Sequence, residues 1–118
     1  MEVVVYEHAA CPGVECAVGV FSRARLIVGS HGGAMYNQLF APPGAAVVEV
    51  MPTGPKGNVL HANPSHVIIW LQAAMLGQSY WRLPAPAADE HLNVRVDAAK
   101  LRTALERELG LARRARAA

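Results

Sequence analysis

The residue types able to do chemistry are concentrated in GSHGGAMYNQLFAPPGAAVVEVMP, residues 29–52. Gly32 and Gly33 follow Ser30 and His31 at the end of an apolar run, where a strand would pass into a helix. Glycine lets the backbone approach a ligand closely, and the first N–H groups of a helix favour an anion, so the turn suits a diphosphate. Tight packing explains such glycines as well. His31 can donate to a phosphate oxygen and become cationic beside it, or it can bond a backbone carbonyl as a structural residue. Asn37, on the first turns of the same helix, can reach a phosphate or cap a neighbouring loop. Glu49 is an acid in an apolar run. Burying it unpaired is costly, so it binds a hydroxyl-rich partner such as a ribose or reaches solvent. The turn is not GxGxxG and no GKS or GKT occurs, so neither the dinucleotide fingerprint nor the Walker loop is met.

The elements that must position these residues follow from composition and pattern. The 118 residues suit one domain, 1–118, and with 53% hydrophobic and 17% charged residues the chain reads as a buried, sheet-rich core, not as disorder. The net charge of +2 comes largely from Arg107, Arg113, Arg114 and Arg116, without a basic face interleaved with aromatics, so nucleic acid is a poor partner. Cys11 and Cys16 in CPGVEC are too far apart for CxxC and complete no zinc site. Two ordinary thiols are expected, with a local disulfide in a secretory lumen as the alternative. No metal ligand set stands out. No apolar run reaches the roughly 18 residues of a membrane helix, and a targeting segment is expected outside this chain.

EVVVYE, residues 2–7, reads as a buried strand. Val14, Val18 and Phe21 recur as on a helix ending near Ala24. LIVG, 26–29, is a strand covered on both faces, and a helix over 33–40 would bury Met35 and Leu39 before PPG stops it. AAVVEV, 45–50, is the next strand, and a Pro/Gly-rich loop spans 52–62. Asn63 and Pro64 open a helix with Val67, Leu71 and Met75 as its stripe and Gly77 as its stop. SYWRL, 79–83, is a fourth strand, and Asp97 caps a last helix presenting Leu101, Leu105 and Leu109. Alternating strands and helices imply an α/β fold: a parallel sheet of about four strands, with ligands beyond the strands' carboxyl ends.

The order of Gly29, His31, Gly32, Gly33, Asn37, Phe40, Pro42, Pro43, Gly44, Ala45, Val47 and Glu49 resembles the signature of glycosyltransferase family 61. Weaker likenesses flank it at 21–24, at Leu76, Gly77 and Tyr80, and at Val96 and Asp97; Gly33 stands where alanine is usual, and Met35-Tyr36 replaces a commoner Leu-Thr. The resemblance implies a Rossmann-like domain, most of the C-terminal, donor-binding half of an inverting GT-B enzyme. Such an enzyme moves N-acetylglucosamine, xylose or arabinose from a UDP-sugar to a glycan or glycoprotein. It implies Ser30, His31, Gly32, Gly33 and Asn37 on the diphosphate, with His31 stabilising the leaving group, and Glu49 on the nucleoside. It further implies a separate N-terminal half that supplies the general base, no permanently bound cofactor, and a Golgi or endoplasmic reticulum lumen. His61, His66 and Glu7 are the weaker candidates for the base within this chain. A nucleotide-binding remnant without transfer activity and a generic α/β interaction domain are the alternatives.

Overall fold

The computed structural model describes residues 2–59, 67–108 and 110. Three apolar runs become strands because each finds a parallel neighbour: β1 (Leu26–Ser30), β2 (Ala46–Thr53) and β3 (Ser79–Pro86), in the order β1-β2-β3. Helix α1 (Val14–Phe21) precedes β1, a 3-10 helix (Gly33–Phe40) joins β1 to β2, and α2 (Ile68–Leu76) leads into β3. Beyond β3 lie α3 (Ala98–Thr103) and a π-helical turn (Ala104–Glu108). The expected α/β class and parallel sheet are present, with three strands among the described residues instead of about four.

Residues 2–7 account for the difference. They form no strand, and Val3, Val4 and Val5 are 78%, 54% and 80% exposed. A β-branched run becomes a strand only where a neighbour completes its ladder, and among the described residues this run has none. The Tyr6 ring meets that of Phe21 edge-on at 5.0 Å, and the Glu7 carbonyl accepts from the Ala10 and Cys11 N–H groups.

The register sets the faces. Ile27, Val47 and Tyr80 form one cross-strand row, and Gly29, Glu49 and Arg82 form the row two residues further on, on the same face. Helices cover that face: Ile27 and Val47 pack with Phe21, Met35, Ala41, Ala45 and Ile69, with Tyr80 against them. β1 is not covered on both faces as expected, since Val28 is exposed while Ile27 is buried.

Helix faces differ from the expected stripes for two reasons. In the 33–40 helix, 3-10 winding brings residues three apart onto one face, so Met35 and Gln38 are buried and Leu39 is 48% exposed. In α1 and α2 the inward faces pair one large with one small residue. Ala17 and Phe21 face inward in α1 and Ile69 and Ala73 in α2, whereas Val14, Val18, Leu71 and Met75 are exposed, Met75 at 87%. Helix α1 ends at Phe21, earlier than expected, and Ala24 closes a turn back to the Phe21 carbonyl. Pro52 and Thr53 extend β2 instead of opening the loop, and Gly54 to Asn58 form a tight turn beyond them.

The expected caps are present. Gly77 ends α2 with a left-handed φ of 70°, and the Asp97 carboxylate accepts from the Ala99 and Lys100 N–H groups. Leu101 and Leu105 are half-buried. Cys11 and Cys16 form a disulfide, with Cα atoms 5.5 Å apart, instead of two thiols. Asn63, Pro64, His61, His66, Leu109, Arg113, Arg114, Arg116 and the loop end at 60–62 lie outside the described residues, and so does the side chain of Arg107. Among the described residues no helix is long and apolar enough to cross a membrane.

A buried amide pair ties the helices to the sheet. Gln38 Nε2 donates to the Ile69 carbonyl at 3.3 Å and to Gln78 Oε1 at 3.1 Å; Gln78 Nε2 donates to the carbonyls of Gln38 at 2.9 Å and Ala41 at 3.2 Å. Three segments are joined here: the 3-10 helix, α2 and the start of β3.

Candidate active site

The site is built on the carboxyl end of β1. Ser30 pairs with Val50, and the His31 N–H donates to the Val50 carbonyl at 2.8 Å, so the turn leaves the sheet in a fixed register. By strand alternation His31 continues on the face of Gly29 and lies diagonally across from Glu49. Its Nδ1 meets Glu49 Oε2 at 2.6 Å. The Glu49 side chain is 0% exposed and that of His31 8%.

Glu49 has a second partner. Tyr80, opposite Val47 on β3, reaches the diagonal position and donates its hydroxyl to Glu49 Oε1 at 2.5 Å. Arg82, two residues along the same face, donates Nε to the Tyr80 oxygen at 3.1 Å, and its guanidinium lies over the Tyr80 ring at 5.9 Å. The buried carboxylate thus accepts from both sides, which is how such a charge is kept in a sheet. The sequence offered solvent or a ligand for Glu49. The structure gives it two internal donors and no solvent.

Burial, and then the bond to Glu49, push the Tyr80 hydroxyl from an ordinary 10.0 up to about 12, against an opposing pull from Arg82. The protonated phenol is the form the fold favours. Its contribution to stability is complete below about pH 10 and is lost as pH rises toward about 12. Tyrosinate absorbance should therefore show a component centred near pH 12 that Tyr80→Phe removes. A wild-type titration without that component would contradict the arrangement.

The glycines divide by role. A Cβ on Gly29 would come within 2.6 Å of Met35 Sδ, so Gly29 is there for packing under the site. Among the described residues a Cβ on Gly33 would meet nothing within 4 Å, and one on Gly32 only the Ser30 carbonyl at 4.0 Å. Packing against the described residues therefore does not explain Gly32 and Gly33. Their backbone borders open space beside His31, as close approach to a ligand requires.

The other sequence candidates fall as follows. Ser30 is exposed at the strand end. The Asn37 amide donates to the Ala34 carbonyl of its own helix at 3.1 Å. Glu7 is exposed just ahead of the turn at residues 8–10. Tyr80 and Arg82 were not singled out for chemistry. Tyr80 was marked only within a flanking likeness, and the alternation on β3 that places both on the face of Glu49 needs the register to be known. Among the described residues no group of three or more His, Cys, Asp or Glu comes together to hold a metal.

Fold and site define an α/β domain with a parallel sheet whose polar centre, a histidine held by a buried carboxylate, sits at the carboxyl edge next to an open glycine turn. Residues 2–48 match the family model of glycosyltransferase 61, so this part of the chain is similar to that family. The match includes Ser30 to Asn37 and stops one residue short of Glu49. No curated protein and no solved structure matches the chain.

Proposed function

We propose that this chain is the donor-binding region of an inverting UDP-sugar glycosyltransferase of GT-B architecture, acting on a glycan or glycoprotein acceptor. The observation that carries the reading is the unfilled space at Gly32 and Gly33 beside His31, whose ring is fixed by Glu49. Backbone N–H groups of the turn would receive the diphosphate, with Ser30 and Asn37 at its border. His31 would stabilise the negative charge that develops on the departing UDP, the role in which preorganised donors lower a barrier most. Glu49 is engaged within the sheet, so its part in the site is to hold His31, and the nucleoside would be read by other groups. The acceptor's general base would come from a facing N-terminal half. The Cys11–Cys16 disulfide supports maturation in an oxidising compartment such as the Golgi or endoplasmic reticulum lumen.

Isothermal titration of UDP into the chain, with ADP as control, tests the reading. UDP should bind in preference to ADP, and both His31→Ala and Gly32→Ala should weaken it. The glycine substitution is the sharper control, because an added methyl finds room within the protein but would occupy the ligand's space. A folded chain that gives no heat with UDP, or binds it equally well after both substitutions, would remove the donor site from Gly32 and His31.

A further inference from the structure

We propose that Gly29 and Met35 are positioning residues for the glycine turn. The notch left by the missing side chain at Gly29 seats the Met35 sulfur, and that seat sets how closely the turn folds back on β1. The proposal rests on the reading of the turn as the diphosphate cradle and names what holds the cradle in place.

Gly29 lies inside β1 and is not among the glycines of positive φ. Its missing side chain is therefore a matter of space, not of backbone freedom. A glycine within a strand weakens it, and close approach of a neighbour is one reason to keep one there. Here the neighbour is Met35. A Cβ at Gly29 would lie 2.6 Å from its Sδ and 3.6 Å from its Cγ. Non-bonded carbon atoms settle about 3.5–4.0 Å apart, so a methyl at position 29 demands a retreat of about 1 Å.

Met35 has little room to retreat by turning its side chain. It is 4% exposed and packs in the core with Phe21, Ile27 and Ile69, and native cores have little spare volume. The displacement then passes to its backbone, which belongs to the turn: the Met35 N–H donates to the Gly32 carbonyl at 3.1 Å. At the other end of the turn the His31 N–H donates to the Val50 carbonyl at 2.8 Å. The turn is thus hung between β2 at His31 and the Gly29 notch at Met35. Gly32 and Gly33 lie between these two points, so a retreat of Met35 moves the N–H groups offered to the diphosphate while the sheet stays where it is.

The first test is hydrogen exchange by NMR on the whole chain without nucleotide. Gly29→Ala should speed exchange at the Met35 N–H. The Ala46 N–H, which donates to the Arg25 carbonyl at 2.9 Å in the sheet, should keep its wild-type protection. A general loss of stability would speed both. Gly29→Ala/Met35→Val should recover protection at position 35, because the shortened side chain ends at its γ carbons, an ordinary contact away. If Gly29→Ala does not fold, Met35→Ala, which empties the notch from the other side, should give the same selective opening. Wild-type exchange at position 35 in the variant that folds, equal acceleration at both amides, or a double variant as open as Gly29→Ala would each overturn the proposal.

The second test is titration with UDP. Gly29→Ala should raise Kd about 10- to 100-fold, the worth of one hydrogen bond to a charged group, and the double variant should recover most of it. A chain that binds UDP equally well with and without Gly29→Ala overturns the positioning role and leaves the donor-site reading intact. Selective opening at position 35 in a chain that ignores UDP does the reverse.

Discussion

Glu49→Ala should cost about 3–5 kcal/mol of folding stability, as removal of one partner from a buried charged network does. The truncation leaves the His31 Nδ1–H and the Tyr80 hydroxyl facing a space with no acceptor, and it opens a cavity in the most buried strand. Against the roughly 5–15 kcal/mol that holds an ordinary domain together, that loss is large. With a urea slope of about 1–3 kcal/mol per molar, the midpoint should fall by about 2 M. Glu49→Gln should be milder, because the amide still accepts from Tyr80 and fills the same volume. Urea unfolding followed by circular dichroism decides the matter. A Glu49→Ala midpoint close to wild type would mean that the carboxylate is not the acceptor for both neighbours.

The second large effect is on transfer itself. On the proposed donor-binding reading, His31→Ala should lower the kcat of sugar transfer by about 10²–10³-fold, the usual loss on removing one preorganised donor from a developing negative charge. The KM for the donor should rise less than kcat falls, because the interaction strengthens as the UDP leaves. His31→Gln, which keeps an N–H donor at similar reach, should recover part of the loss. Initial rates with labelled donor sugar measure both quantities. A large rise in KM with kcat unchanged would make His31 a binding group only and refute its role in stabilising the leaving group.

Much of this was legible in the sequence, for physical reasons that differ by element. The three strands were readable because LIVG, AAVVEV and SYWRL combine β-branched or aromatic residues with glycine and proline at their ends. Gly77 and Asp97 were readable because a left-handed stop and an N-cap depend on local chemistry alone. Helix faces were not. In IIWLQAAML apolar residues occur on nearly every side, so periodicity has no face to choose, and the tertiary packing that buries Ile69 and Ala73 decides it. The 3-10 winding of residues 33–40 changed the period itself and exchanged Leu39 for Gln38. Residues 2–7 had the propensity of a strand and lacked the partner, which propensity does not encode. In the site, His31, Gly32 and Gly33 could be singled out by type and order. Glu49 could be recognised as an acid requiring a partner, but Tyr80, 31 residues further on, is brought to it only by strand register.

The amide pair of Gln38 and Gln78 has an evolutionary corollary. Together the two side chains serve the carbonyls of Ile69, Gln38 and Ala41 and one another, across a gap of 40 residues in sequence. A change at either position alone removes a partner from the buried amide on the other side, and an apolar swap of both also removes the donor at the Ala41 carbonyl, while the Gln38 carbonyl keeps the Ala41 N–H. Drift at these two sites is therefore confined to paired replacements that bring new donors. Positions 38 and 78 should covary across homologues, a statistical trace of the joint that keeps the glycine turn and Tyr80 at a constant separation.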